Sequence, residues 1–137
     1  MTGEFSSVLI KTNRKILIVK RPGEESWSLP GAIAIVAEGP RAAIIRGLRE
    51  QFVQPIIKEL PALKLLARFD PSTANPRLTS IFWLECGDPF VPRKEQFIDA
   101  KWIDLHEAGR YRLPDEVTEA LSKLEEREKA LLQPTTL

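Results

Sequence analysis

A short apolar run, a Glu-Gly-Pro break and a segment of helical periodicity, in that order, constrain the fold of this chain more than any other feature. The apolar run covers residues 32–37, and the break covers residues 38–40. Proline is well tolerated in the first turn of a helix, because its missing N–H would have had no partner there. Apolar residues then recur at helical spacing: Ile44, Ile45, Leu48 and Phe52. The stretch predicts a largely buried strand and then an amphipathic helix that stops near Pro55.

Further strand-like segments lie on both sides of this stretch. Residues 7–10 and 15–19 are rich in Val, Ile and Leu, and the polar residues between them have the length and types of a hairpin connection. Residues 63–69 and 78–84 predict two strands around a loop that contains two prolines, and residues 97–103 predict another. Strands that alternate with helices in this way are typical of an α/β domain with a mixed sheet.

The C-terminal third predicts a short helix and a long one. Asp104 is placed to cap a short helix over residues 104–109. The pair Pro114-Asp115 opens the second helix, and its apolar face consists of Val117, Leu121, Leu124 and Leu131. The nearby His106 is better explained as a surface or cap residue than as a catalytic group.

Length and charge limit the possible functions. A chain of 137 residues fits one domain with a single core, so we expect one domain over residues 1–137 with frayed tails at 1–4 and 133–137. The net charge of +1 leaves no long-range field to attract nucleic acid or an anionic membrane. Any anionic ligand must therefore be met by local basic groups.

Apolar runs and cysteine content set further limits. No apolar run approaches the length of a membrane span, and the N-terminus lacks the features of a secretory signal, so we expect a cytoplasmic protein without membrane contact. Cys86 is the single cysteine, which excludes an intramolecular disulfide and a cysteine-built metal site. It follows an apolar strand and is better explained as a small core residue than as a nucleophile.

A distinctive spacing runs through the central stretch. A Trp-x-x-Pro-Gly segment, Trp27 to Gly31, precedes Ala32, and Glu38 and Arg46 follow after intervals of five and seven residues. Two further matched positions are Leu48 and Glu50. This pattern resembles the box of the Nudix hydrolase family, G-x5-E-x7-R-E-U-x-E-E-x-G-U, in which U is a bulky apolar residue and Ala32 stands at the first glycine. The later strands and the Leu-Pro-Asp helix are similar to the layout of the family, so the resemblance covers nearly the whole chain.

The box is degenerate at the positions that carry its chemistry. Gly47 replaces the glutamate after the box arginine, Gln51 replaces the second of the paired glutamates, and Val53 replaces the later glycine. Positions 47, 50 and 51 project to one side of a helix, and in the family their glutamates serve to hold a hard cation among oxygens. Only Glu50 keeps its carboxylate.

The resemblance implies a Nudix-like α/β/α sandwich with a mixed sheet and assigns roles to the matched residues. Glu50 and the Gly31 carbonyl are the candidate ligands of Mg²⁺ or Mn²⁺, with weak or absent binding as the alternative because one carboxylate remains. Glu50, Arg46 and Glu38 are the candidate catalytic residues, the last two bracing the loop and helix rather than reacting. For Glu50, an ion pair with Arg46 on a solvated helix face is an equally good explanation.

The resemblance also implies a small nucleotide-like ligand, with Arg21, Trp27 and Phe90 as the candidate binding residues. Trp27 could instead pack in the core, and Phe90 could simply anchor its loop. Many relatives form homodimers, and Phe90 with Val91 would be the residues for such a contact, although scattered exposed apolar groups need no partner.

Two functions remain open at this point. The first is a Mg-dependent pyrophosphohydrolase of nucleoside diphosphate derivatives with impaired or lost catalysis, which needs a general base from outside the box; Glu85, Glu95 and Asp99 are available. The second is a non-catalytic domain on the same fold that binds a nucleotide ligand or a protein partner. Whether the chain is an enzyme depends on that base, since losing one typically costs about 10²–10⁴ in rate. A chance match in an unrelated α/β domain is a third alternative.

Overall fold

A mixed six-stranded sheet lies at the centre of the computed structural model, which describes residues 4–35, 37–52, 63–73, 78–85, 91–93 and 95–132. The strands are β1 Phe5–Thr12, β2 Lys15–Lys20, β3 Gly31–Ile33, β4 Lys64–Phe69, β5 Thr79–Glu85 and β6 Asp99–Asp104. Their order is β4-β5-β1-β2-β6, and β3 also pairs with β1.

Strand β1 is the organising strand of the sheet. It runs parallel to β5 over most of its length, and its other edge is divided between β2 at one end and β3 at the other, both antiparallel. The hairpin expected between residues 7 and 19 is confirmed, with a turn at Asn13 and Arg14. Asn13 has a φ of 56°, a left-handed conformation that asparagine tolerates better than most residues.

Two α-helices and a 3₁₀ helix complete the described fold: α1 Pro40–Gln51, the 3₁₀ helix Leu105–Arg110 and α2 Asp115–Leu132. Helix α1 has proline in its first turn, as predicted, and it ends at Gln51; Pro55 lies outside the described residues. Asp104 caps the 3₁₀ helix, because its carboxylate accepts a hydrogen bond from the His106 backbone N–H at 2.9 Å.

The two α-helices cover opposite faces of the sheet. Successive residues of a strand point to opposite faces, so Val8 and Ile10 of β1 face α1 whereas Leu9 faces α2. The α1 side of the core also contains Leu17, Val19, Ile44, Leu48 and Phe52. The α2 side also contains Ile16, Ile18, Val117, Leu121 and Leu124. Each fully buried side chain of this kind contributes about 1.5–3 kcal/mol, and the layers give the expected α/β/α sandwich.

The strand predicted over residues 32–37 is wrong beyond Ile33. The Ile33 carbonyl accepts a hydrogen bond from Arg46 Nη2 at 2.8 Å, and the Ile35 N–H donates to Glu38 Oε1 at 3.1 Å. Ala37 then has a φ of 66°. Because the Arg46 and Glu38 side chains bind the Ile33 carbonyl and the Ile35 N–H, the strand does not continue, and Ile35 is 61% exposed rather than buried.

The expected N-terminal tail over residues 1–4 does not include Glu4. Its carboxylate accepts hydrogen bonds from Ser80 Oγ at 2.7 Å and Arg68 Nη2 at 3.3 Å, and its carbonyl accepts one from the Ala34 N–H. Residues 1–3 and 133–137 lie outside the described part of the chain. Neither α-helix, over the residues described, is both long and apolar enough to cross a membrane.

Candidate functional site

The residues that match the box gather where α1 crosses β3. Gly31 is buried in β3 and lies tightly against β1, since a Cβ there would stand 2.8 Å from the Ser7 Cα and still closer to the Ser6 carbonyl. No other residue fits at this crossing. Helix α1 turns Gly47 and Gln51 towards β3 and leaves Glu50 exposed. This corner is the candidate site that the sequence predicts.

Glu38 and Arg46 brace the corner. Arg46 Nε donates to Glu38 Oε2 and Arg46 Nη2 donates to Glu38 Oε1, both at 3.0 Å, in the two-pronged geometry of strong Arg–carboxylate pairs. These bonds and the Ile35 N–H lower the pKa of Glu38, and the Glu38 hydrogen bond raises the pKa of Arg46. Because Arg46 also holds the Ile33 carbonyl, the pair ties the loop to α1.

Glu50 takes part in an ion pair on the helix surface. Its carboxylate lies 3.7 Å from Arg46 Nη1 in an i,i+4 arrangement, and its side chain is 59% exposed. Exposed pairs of this kind contribute little to stability. Within the described residues the one matched carboxylate of the helix therefore faces solvent and a cation of the protein itself.

Gln51 binds the carbonyl that a metal ion would need. Its Nε2 donates to the Gly31 carbonyl oxygen at 2.8 Å, and the side chain is only 9% exposed. A carbonyl only accepts hydrogen bonds, so the amide nitrogen and not the amide oxygen must face it. Gln51 Oε1 is buried and has no hydrogen-bond partner among the described residues.

Position 47 has space only for glycine, because Ala32 of β3 lies directly against it. A Cβ at this position would lie 2.9 Å from the Ala32 Cβ, 3.5 Å from Gln51 Nε2 and 3.6 Å from the Gly31 carbonyl oxygen. Glycine in the middle of a helix costs roughly 1 kcal/mol relative to alanine. A glycine in a helix can be explained by the close approach of another segment, and here the Ala32 methyl group of β3 is that segment.

The residues of this corner do not fit a divalent cation. Mg²⁺ and Mn²⁺ need several oxygen ligands, preferably from carboxylates. Here the Gly31 carbonyl already accepts an N–H group, Gly47 offers no ligand, and Glu50 points to solvent. Across the described ranges, no group of three or more His, Cys, Asp or Glu side chains is close enough to hold a metal ion.

The carboxylates considered as replacement bases occupy different places in the described structure. Glu85 is bonded to Lys11 at 3.3 Å, at the end of β1 opposite to the end that pairs with β3. Asp99 begins β6 and accepts a hydrogen bond from the Ala100 N–H at 2.8 Å. Glu95 is exposed in the preceding turn, which follows Arg93, whose backbone N–H donates to the Gln51 carbonyl at 2.8 Å. The structure does not bring Glu85 next to Gly31.

Arg21 and Trp27 meet in a surface pocket of about 430 Å³ on the α2 side. Its walls include Phe5, Glu24, Ser26 and Pro114. Arg21 is held in place, since Nη1 donates to Ser28 Oγ at 2.7 Å and Nη2 donates to the Leu29 carbonyl at 2.9 Å. Burial lowers the pKa of Arg21, against the opposing effect of the Glu24 charge. Phe90, the third predicted binding residue, lies outside the described residues.

Trp27 has cationic and aromatic neighbours that the sequence did not reveal. The Nζ atoms of Lys20 and Lys101 each lie 5.6 Å from the centre of its ring, and the Tyr111 ring meets it edge-on at 6.0 Å. Trp27 packs against the α2 side of the core, so it lies on the face of the sheet opposite to α1 and Gln51. Lys20 adjoins Arg21 in the sequence, whereas Lys101 approaches through the pairing of β2 with β6.

No protein-family model and no curated protein sequence matches the chain. Solved structures do match. The NUDIX domain of Shewanella oneidensis NrtR, complexed with ADP ribose, has a TM-score of 0.73 at 16% identity, over 93% of this chain and 88% of that one. A MutT structure from work on Aliivibrio salmonicida and Vibrio cholerae has a TM-score of 0.67 at 19% identity, over 88% and 97%.

A third similar structure belongs to a longer protein. It is a bifunctional NMN adenylyltransferase/ADP ribose pyrophosphatase from Francisella tularensis, complexed with AMP and a Mn ion. Its TM-score is 0.73 at 22% identity, over 93% of this chain and 42% of that one. Identities this low report on the fold, and the fold shared with these proteins is the one that the box spacing predicted. The chain therefore has the Nudix fold, with a mixed sheet between two helical layers.

Proposed function

We propose that this chain is a Nudix-fold domain that binds a nucleoside diphosphate derivative and has impaired or lost hydrolysis of it. The observation that carries the proposal is the hydrogen bond from the Gln51 amide to the Gly31 carbonyl. It puts a neutral donor where a hydrolytic site of this kind would need a metal-binding oxygen.

The chemistry of pyrophosphate cleavage explains why this exchange matters. The reaction requires neutralisation of the charge on the phosphoryl oxygens and deprotonation of an aligned water molecule, tasks commonly given to metal ions and carboxylates. With Gly47 and Gln51 in place of glutamates, Glu50 is the one carboxylate left among the three box positions of α1, and it is paired with Arg46. Loss of a general base alone typically reduces the rate by about 10²–10⁴. We therefore expect little or no turnover.

The pocket beside Trp27 supports ligand binding without that chemistry. Phe5 and Trp27 offer apolar walls for a base or sugar, and Arg21 lies in the wall of the pocket. Lys20 and Lys101 add positive charge next to Trp27 and, with Arg21, outnumber the two carboxylates of the pocket wall, Glu24 and Glu25. This is the local positive charge that an anionic ligand needs in a chain of net charge +1. The neighbours solved with ADP ribose and with AMP support this ligand class.

A binding and turnover screen tests the proposal. Wild-type protein would be titrated with ADP-ribose, a nucleoside diphosphate sugar, a dinucleoside polyphosphate and a nucleoside triphosphate, in Mg²⁺, in Mn²⁺ and in EDTA. Calorimetry and thermal shift report binding, and chromatography reports products. We expect at least one ligand to stabilise the fold in EDTA, by about 2.7 kcal/mol at a hundred times its Kd, with no product. Steady metal-dependent turnover of any of them would contradict the proposal.

A further inference from the structure

The replaced box residues touch one another across the crossing of α1 and β3. A Cβ on Gly47 would stand 2.9 Å from the Ala32 Cβ, well inside the 3.5–4.0 Å at which carbon atoms make favourable contact. The Ala32 methyl is bonded directly to the backbone and cannot rotate away. Any side chain at position 47 therefore requires a movement of the strand or the helix.

Neither element is free to move. Strand β3 is paired with β1 through Ser6↔Ala32 and Ser7↔Gly31, and the tight fit of Gly31 against β1 leaves no space behind it. Helix α1 is tied to the end of the same strand by the hydrogen bond from Arg46 to the Ile33 carbonyl. The clash at position 47 would therefore be relieved only by breaking one of these connections.

Gln51 closes the remaining space. Its Nε2 lies 3.5 Å from the position of a Gly47 Cβ while it donates to the Gly31 carbonyl. A longer side chain at position 47 would meet the Ala32 methyl group on one side and the Gln51 amide on another. Relative to the box, the strand has gained a methyl group at Ala32 and the helix has lost its side chain at Gly47, and the crossing has no room for side-chain atoms at both positions.

We propose that Ala32, Gly47 and Gln51 form one interdependent unit, and that Ala32 is the residue that prevents a metal site from being rebuilt at this corner. Restoring glutamates at positions 47 and 51 alone leaves the Ala32 methyl in the way. Removing that methyl with Ala32→Gly gives a side chain at position 47 room to reach the Gly31 carbonyl. The inference rests on the proposed function, because it explains how the loss of the metal site is maintained.

A double-mutant cycle of thermal stability, here called the stability cycle, tests the contact between Ala32 and position 47 without any ligand or metal. Gly47→Ala would be made in the wild type and in an Ala32→Gly background, and the thermal unfolding midpoints compared. We expect the substitution to lower the midpoint by several degrees in the wild type, through overpacking, and to raise it in the Ala32→Gly background, where alanine only improves helix propensity. Gly109→Ala is the control, since a Cβ there meets nothing within 4 Å. Equal changes in both backgrounds would overturn the inference.

Binding of Mn²⁺ tests the consequence. Free Mn²⁺ would be measured by electron paramagnetic resonance during titration of the wild type, of Gly47→Glu/Gln51→Glu, and of Ala32→Gly/Gly47→Glu/Gln51→Glu. We expect the triple variant to bind at least about tenfold more tightly than the double variant, which is about 1.4 kcal/mol. Equal affinities, including no binding by either, would overturn the assignment of Ala32 as the block. Turnover by the wild type would contradict the proposed function and leave the stability cycle unaffected, so the two failures are distinguishable.

Discussion

At the scale of single residues, the replacement of a glutamate by Gln51 does more than remove a charge. A carboxylate at this position would only accept hydrogen bonds, as the Gly31 carbonyl does, so the two would need a cation between them. The amide instead donates to the carbonyl directly at 2.8 Å. The resemblance to the family interprets this position as a missing metal ligand, and the structure shows that its amide forms an internal hydrogen bond.

Gln51→Glu should destabilise the protein at neutral pH. The substitution removes a buried hydrogen bond and turns a carboxylate towards a carbonyl oxygen, so we expect a loss of about 1–3 kcal/mol in the free energy of unfolding. Burial raises the pKa of the introduced carboxyl above its unfolded value, so the folded state binds more protons and the loss should shrink as pH falls. Denaturant unfolding at several pH values measures both effects.

Glu50→Gln is the matched control for this substitution. It changes the neighbouring, exposed position of the same helix and should alter stability by less than about 0.5 kcal/mol. A Gln51→Glu variant as stable as the wild type at neutral pH, without added metal, would show that the hydrogen bond from the Gln51 amide to the Gly31 carbonyl has no structural importance.

For the Glu38–Arg46 pair we expect the opposite pH dependence, in which the stability of the fold decreases as the pH falls. Its hydrogen bonds lower the pKa of Glu38 below the ordinary 4.5, so the folded state binds fewer protons than the unfolded state in that range. The stabilisation is present above pH 4.5 and is lost as pH falls through the lower folded pKa. Glu38→Gln should flatten this part of the stability–pH profile, and Glu24→Gln, in an exposed loop, should not. An unchanged profile in Glu38→Gln would refute the assignment.

At the scale of elements, the loop between β3 and α1 depends on side chains that follow it in the sequence. Pro40 predicts the start of α1, and Asp104 predicts the cap of the 3₁₀ helix, because both signals act within a few residues. The end of β3 at Ile33 was not predictable in this way, because it depends on Arg46, thirteen residues later in the chain. The Arg46 side chain donates a hydrogen bond to the Ile33 carbonyl, so this carbonyl is not available to extend the strand pairing. The Ala32–Gly47 contact was also hidden, since it exists only once α1 crosses β3.

Arg46→Lys should loosen this loop while leaving α1 folded. Lysine keeps the charge but lacks the planar fork that reaches Glu38 and Ile33 together. We expect faster hydrogen exchange at the Ile35 N–H, which donates to Glu38, than in the wild type. Arg49→Lys, at an exposed position of the same helix, serves as the control. Unchanged exchange at Ile35 in Arg46→Lys would mean that the loop holds its shape without the brace.

At the scale of the whole molecule, the residues that maintain the fold are present, whereas two of the three box glutamates on α1 are replaced. The bracing pair, the tight glycine of β3 and both helical layers persist, so the spacing of the box was sufficient to predict the fold. The proposed ligand pocket was accessible from the sequence only in part: Arg21 and Trp27 line one surface pocket, whereas the approach of Lys101 to Trp27 depends on the register between β2 and β6. Contacts of this kind join strands that are distant in sequence, so the order of residues along one chain does not reveal them.

The charge beside the pocket gives a binding prediction. Lys101→Glu replaces a cation 5.6 Å from the Trp27 ring with an anion, so we expect the affinity for an anionic nucleotide to fall roughly tenfold or more at low salt and less at high salt. Lys64→Glu is the matched control, because Lys64 lies over Trp83 on another strand. Calorimetric titrations at two ionic strengths check this, and equal affinities for both variants would contradict the placement of the ligand.

Whether a divalent ion enters the corner of α1 and β3 at all can be measured directly. Mn²⁺ broadens the NMR signals of nuclei near it, so a titration of ¹⁵N-labelled wild type reports occupancy residue by residue. We predict that the Gly31 and Glu50 backbone signals and the Gln51 side-chain amide signals stay as sharp as those of the rest of the protein. Saturable broadening centred on these three residues would show a metal ion in the place that the Gln51 amide is inferred to close, and the corner would then be a working metal site.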